Sequence, residues 1–199
     1  MPKQTDAGKS NGYEEIAPVF IAGRGRNISG VGATEVAEWS EVLEKGSAVL
    51  DLGCGTGIPI SRVLIERGFD VYGVDASPSM VAAFREHFPL RPVQCAAAEE
   101  SDFFGRTFDA VVSWGLFFLL DEDVQRMLIA KVAGVLRPGG RFLFTAPKER
   151  ACWQDAMTDR RSVSLGYETY RMALEAAGMP LAGTWVGLGD NHYYDAVKT

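Results

Sequence analysis

From residue 48 onward, short apolar runs alternate with segments whose apolar residues recur every three or four positions. Runs such as AVLDL, FDAVVSW and RFLFTA are almost continuously apolar, the pattern of parallel strands covered on both faces. This reading predicts strands at 48–52, 70–75, 91–96, 108–114 and 140–146, with helices at 57–67, 78–88 and 121–136 between them. Arg137-Pro138-Gly139-Gly140 is a strong stop for the third of these helices. Further on, a helix is predicted at 167–178 and strands at 181–188 and 192–198. The link Gly189-Asp190-Asn191 is so short that these two strands must form an antiparallel hairpin. The expected fold is α/β: a doubly wound, mostly parallel, seven-stranded sheet with helices on both faces and an antiparallel last strand.

The first 46 residues follow a different pattern. Residues 1–12 hold little that can be buried and read as a mobile tail. Residues 13–22 put Tyr13, Ile16, Ala17 and Phe20 at helical spacing, with Pro18 as a weak point. Residues 23–30 read as a loop, and residues 33–45 as an amphipathic helix with Val36, Trp39, Val42 and Leu43 on one face. Residues 1–46 are therefore expected to form a tail and helical cap, and residues 47–199 the core, in one structural domain.

Composition narrows the partners. The chain carries a net charge of −6 and a pI near 5.0. An acidic chain without cation clusters argues against nucleic acid and anionic membrane surfaces. The longest apolar run, residues 110–120, is too short to span a bilayer, and the polar start shows no signal peptide. Cys54, Cys95 and Cys152 make neither a C-x-x-C pair nor an even disulfide framework. A cytoplasmic protein with no bound metal is expected, and the pattern leaves its oligomeric state open.

The candidate chemistry lies in Val49-Leu50-Asp51-Leu52-Gly53-Cys54-Gly55-Thr56-Gly57, where a predicted strand turns through glycines into a helix. Glycine there permits torsions closed to other residues and lets a ligand touch the main chain. Asp75 follows at the end of the second predicted strand, where a carboxylate can accept hydrogen bonds from two vicinal ribose hydroxyls. A dinucleotide fingerprint requires glycine at position 58, but Ile58 stands there. No lysine followed by Ser or Thr comes directly after these glycines, which excludes a P-loop. Asp51 would repel a pyrophosphate and suits a ligand carrying an ammonium group.

VLDLGCGTG followed by YGVDAS resembles motif I and its acidic partner in the class I (Rossmann-like) S-adenosylmethionine-dependent methyltransferases. The resemblance extends over about residues 47–199, including LRPGGRFLF and the closing hairpin. It implies an enzyme using S-adenosyl-L-methionine, with Gly53, Cys54 and Gly55 at the methionine part, Asp51 and Ile58 beside them, and Asp75 at the ribose. Ala76 and Met80 would border the adenine. Family members often place an acidic residue after the third strand, but here that position is Ala97, which leaves adenine reading to the backbone of Ala98 and Glu99. Tyr13 is expected to close over the cofactor and Arg24 to hold its carboxylate. Trp114, Phe117, Phe118 and Tyr193 are expected to wall the acceptor pocket. His192, at the start of the last strand, is a candidate base or acceptor contact, with hairpin stabilisation as the alternative.

The acceptor is expected to be a small molecule. Ser113-Trp114-Gly115-Leu116 is not the tetrad of enzymes that methylate amines of nucleic-acid bases. No aspartate ends that strand, so metal-dependent catechol chemistry is not indicated. Residues 153–164, rich in Asp and Arg, read as a variable substrate loop or a disordered one. A protein or RNA methyltransferase and a non-catalytic cofactor-binding sensor or partner subunit remain as alternatives.

Overall fold

A computed structural model describes residues 9–199. The expectation of a mobile tail lies, for residues 1–8, outside the described residues. Its remainder is corrected: Ser10 is buried, and Lys9 pairs with Glu100.

Two short helices come first, α1 (Ala17–Ala22) and α2 (Ala33–Trp39). Then follow β1 (Ala48–Leu52), α3 (Ile60–Glu66), β2 (Asp70–Asp75), α4 (Pro78–His87), β3 (Val93–Cys95) and β4 (Phe108–Ser113). The remainder comprises α5 (Glu122–Val135), β5 (Leu136–Thr145), β6 (Ala151–Gln154), β7 (Arg161–Ser164), α6 (Tyr167–Ala176), β8 (Leu181–Val186) and β9 (His192–Val197). Seven strands form one sheet in the order β3-β2-β1-β4-β5-β9-β8, and β6 and β7 form a separate hairpin. Strands β1 to β5 pair in parallel, while β9 runs antiparallel to both β5 and β8. The doubly wound α/β architecture is the expected one.

Alternation along the strands divides the core. Ala48, Leu50 and Leu52 of β1 face a layer containing Leu128, Ile129 and Val132 of α5 and Tyr170 and Leu174 of α6. Val49 faces the other layer, with Val36, Trp39, Ile60 and Leu64 of α2 and α3. Helix α5 buries Gln125, Leu128, Ile129, Val132 and Ala133, the spacing of one helical face. Burying such a side chain is worth about 1.5–3 kcal/mol, so each helix is held mainly by its stripe.

Element boundaries differ from expectation for local reasons. Helix α1 begins at Ala17 because Pro18 occupies its first turn, where a missing N–H costs nothing. Helix α2 ends at Trp39, where the Ser40 hydroxyl donates to the Ala37 carbonyl; Val42 is exposed, off the buried face. The region expected as a loop at 153–164 contains the hairpin, with Ala151 opposite Ser164 and Gln154 opposite Arg161.

Sheet order fixes the place for a ligand. The chain leaves β1 toward β2 and β3, then crosses back to β4 and β5. The ends of β1, β2 and β4 therefore surround a topological switch point, where open α/β sheets form a crevice.

Candidate active site

The crevice is a cavity of about 480 Å³. Its floor is the glycine turn. Gly53 N–H and Cys54 N–H both donate to the Val74 carbonyl, at 2.8 and 3.1 Å, which ties the turn to the end of β2. Gly53, Gly55 and Gly57 have φ of +73°, +53° and +80°. A Cβ at Gly57 would lie 2.5 Å from the Phe88 ring and 2.8 Å from that of Phe84, whereas one at Gly55 would meet nothing within 4 Å. The first glycine lets α4 pack closely; the second leaves the main chain open to the cavity.

Two carboxylates sit beside this turn. Asp75 accepts from the N–H groups of Gly55 and Ser77, each at 2.8 Å. Burial raises its pKa, against the opposing pull of these two hydrogen bonds. Asp51 accepts from the Ser61 hydroxyl at 2.6 Å. Burial pushes Asp51 up to about 7; the Ser61 bond opposes this and the charge of Asp75 adds to it. A cationic group bound here would hold Asp51 ionised.

The roof comes from distant segments. Glu14 accepts from the Ser77 hydroxyl and, at 3.1 and 2.7 Å, from the N–H and hydroxyl of Ser79. Its negative charge thereby caps the first turn of α4. Burial alone would raise the Glu14 carboxyl, but these bonds outweigh it and lower the pKa. Arg160 pairs with Glu15 at 2.8 Å, and Arg24 donates to the Met157 sulfur at 3.5 Å, joining the β6–β7 hairpin to the N-terminal segment. Tyr13 is pushed up to about 12, first by burial and then by Asp155. The Thr56 hydroxyl donates to the Gly25 carbonyl at 2.9 Å, which closes roof onto floor.

Every residue expected at the cofactor lines this one cavity: Tyr13, Arg24, Asp51, Gly53, Cys54 and Gly55, then Ile58, Asp75, Ala76, Met80, Ala98, Glu99 and Trp114. Phe118 lines it too. Phe117 does not; it is fully buried in the core against Phe142 and Phe144. Tyr193 is also buried, stacked on Trp185, and its hydroxyl accepts from Trp114 Nε1 at 3.0 Å. It orients the wall rather than forming it. His192 lies in an adjoining cavity with Thr145, Pro147, Lys148, Glu149 and Trp153, and Phe118 and Asn191 border both spaces. Both His192 ring nitrogens are buried without a partner among the described residues. His87 donates to the Thr56 carbonyl at 3.0 Å, a structural role in the glycine turn.

Sequence reasoning missed Glu14, Asp155 and Lys131. Their partners lie 63 to 65 residues away for Glu14 and 30 to 33 for Lys131, and no spacing rule couples them. Asp155 reaches the cavity only because of the unexpected hairpin.

The residues fit an S-adenosyl compound. The cavity offers a carboxylate for a diol, a carboxylate for an ammonium group, a nearby guanidinium, an open backbone turn and the apolar side chains of Ala76 and Met80. Among the described residues no cluster of ligating side chains fits a metal, and no helix is long and apolar enough to cross a membrane.

Comparison with known proteins agrees with this geometry. Residues 49–140 match the family described as a methyltransferase domain. Cypemycin N-terminal methyltransferase from a Streptomyces species is 38% identical over 124 residues, covering 60% of this chain and 49% of that protein. Aklanonic acid methyltransferase from Streptomyces sp. strain C5 is 30% identical over 151 residues, covering 71% and 63%. The chain thus matches about half to two thirds of the length of these relatives. Among solved structures, the Burkholderia thailandensis 1,6-didemethyltoxoflavin-N1-methyltransferase, with S-adenosylhomocysteine bound, superposes with a TM-score of 0.74 at 18% identity, covering 100% of this chain and 92% of that one. A calicheamicin-pathway amino pentose methyltransferase from Micromonospora echinaspora, with S-adenosylmethionine bound, gives 0.72 at 21%, covering 92% and 97%. At these identities the superpositions show the shared fold.

Proposed function

We propose, from the premise that residues 49–140 belong to the class I S-adenosylmethionine-dependent methyltransferases, that this chain transfers a methyl group from that cofactor to a small-molecule acceptor. The observation that carries the reading is the convergence of Asp51, the open turn at Gly55 and Asp75 in one cavity that Trp114 and Phe118 also line. The bound cofactor supplies an electrophilic methyl on a sulfonium, open to in-line displacement. The chain's own task is to bind, align and exclude water.

In this reading Asp75 accepts from the ribose hydroxyls, Asp51 faces the ammonium group and Arg24 the carboxylate. Tyr13 closes the roof. Trp114, held by Tyr193, and Phe118 present the acceptor to the methyl. His192 serves the acceptor from the adjoining cavity, where an unpartnered imidazole can take a proton or a hydrogen bond. That open, aromatic-lined space favours catalysis over a purely cofactor-sensing role. The names of the similar proteins, with aklanonic acid, an amino pentose and didemethyltoxoflavin as their acceptors, support a small acceptor. An odd number of widely spaced cysteines with no C-x-x-C pair supports a reducing, cytoplasmic setting.

Calorimetry tests the proposal. Saturable binding of S-adenosylmethionine and S-adenosylhomocysteine with no response to NADH is the expected result. Binding of NADH alone would overturn it. A panel of small acceptors with methyl-labelled cofactor then reads the reaction directly, and label appearing only on protein or RNA would reassign the acceptor.

A further inference from the structure

Lys131 of α5 points its ammonium at the loop after β3. It donates to the carbonyls of Ala98 at 3.0 Å, Glu99 at 2.9 Å and Ser101, and it lies 4.4 Å from the centre of the Phe103 ring. All three donors of one cation are thus spent on backbone oxygens within four residues. Ala98 and Glu99 line the cofactor cavity; Lys131 does not. On the cavity side, Lys9 pairs with Glu100 and approaches Glu99 at 3.8 Å, so the loop is gripped from both sides.

The peptide plane turns this grip into recognition. A trans peptide points its C=O and N–H in opposite directions. Holding the Ala98 carbonyl on Lys131 therefore aims the Glu99 N–H away from α5, and that N–H has no partner among the described residues. A cation on a carbonyl also polarises the peptide and strengthens its N–H as a donor. Here the position that could carry an adenine-reading carboxylate is Ala97, buried and without polar side-chain atoms.

We infer that Lys131 is a positioning residue for the cofactor's base: it fixes the 98–101 loop so that the Glu99 N–H meets a ring-nitrogen acceptor of the purine. The inference rests on the proposed S-adenosylmethionine reading. It distinguishes purines by what their edge offers. Adenine presents an acceptor nitrogen between its amino-bearing carbon and the next ring carbon, whereas hypoxanthine presents a donor N–H there, which opposes the Glu99 N–H.

The test titrates S-adenosylhomocysteine and its deaminated analogue, S-inosylhomocysteine, into wild type, Lys131→Met and Lys131→Gln, with thermal melts as a check of folding. Wild type should prefer the adenine compound. Lys131→Met should weaken it about five- to tenfold, the scale of one good hydrogen bond, while the hypoxanthine compound changes little, so that discrimination collapses. Lys131→Gln, which keeps an amide donor, should lie between and serves as the readout if the Met variant does not fold. Equal weakening of both compounds, or unchanged discrimination in a folded variant, overturns the inference alone. Failure of wild type to bind either compound overturns the underlying cofactor reading instead.

Discussion

The floor of the cavity and its roof are built by different means. The floor is built on backbone N–H groups: those of Gly53 and Cys54 donate to the Val74 carbonyl and those of Gly55 and Ser77 to the Asp75 carboxylate, all between neighbouring strand ends. The roof is a set of side-chain contacts between segments far apart in sequence, such as Glu14 with Ser77 and Arg160 with Glu15. A floor fixed by covalent proximity and sheet register suits the invariant part of a ligand. A roof held by a few polar contacts can open, and it can vary with the acceptor. On the proposed reading, this contrast matches a cofactor on the floor and an acceptor in the space between the roof and the start of β9.

The largest expected effect tests the acceptor side. If His192 removes a proton from the acceptor, His192→Ala lowers turnover about 10²–10⁴-fold and leaves cofactor affinity nearly intact. Burial, then Lys148, lowers the His192 pKa, and Glu149 only partly opposes them. The neutral base is thus the form present at neutral pH, and the wild-type rate should fall on acidification through a value below the ordinary 6.5. A stable variant with wild-type turnover would remove His192 from the chemistry. Activity falling only in proportion to folded protein would make it a structural part of the hairpin.

On the floor, Asp75→Ala should weaken S-adenosylhomocysteine by roughly 1.5–3 kcal/mol, the scale for hydrogen bonds to a charged group. The carboxylate also holds Gly55 and Ser77, so the loss includes some loosening of the turn. Denaturant unfolding should still show a folded protein. Unchanged affinity by calorimetry would mean that the ribose is held elsewhere and that the floor is not the cofactor's.

What could be read from the sequence follows the same division. The strands of the floor were legible because apolar runs and glycines are local signals, and Asp51, Gly53 and Asp75 sit on them. The doubly wound, mostly parallel character of the sheet followed from the alternation of strand and helix, while its strand order came from the structure alone. Boundaries were less legible: Pro18 moved a helix start and Ser40 an end, both through single backbone interactions. The hairpin at 151–164 escaped because β6 is largely exposed and β7 buries two serines beside Val163, so neither strand carries an apolar alternation. It is anchored instead through Gln125, which donates to the Val163 carbonyl at 2.9 Å. Phe117 and Phe118 show the limit most clearly. They are adjacent and identical in type, yet Phe117 fills the core while Phe118 faces the cavity.

The smallest effect concerns the latch between roof and floor. Glu14→Gln keeps the shape of the side chain and removes its charge from the first turn of α4. Glu14 is part-exposed, so solvent screens most of the gain, and the expected loss is about 0.5–1 kcal/mol. It should appear as two- to fivefold faster cofactor release in stopped-flow displacement, with the floor's other contacts unchanged. The pH dependence gives a sharper test. The Glu14 carboxyl lies below its ordinary value of 4.5 when the latch is closed. Its contribution is therefore full above that value and lost as pH falls through the lowered one. Wild-type release should quicken across this acidic window more steeply than release from the Gln variant, which keeps only the other carboxylates, Asp51, Asp75 and Glu15. Parallel profiles would show that the roof is held by Arg160–Glu15 and the Thr56–Gly25 contact without help from Glu14.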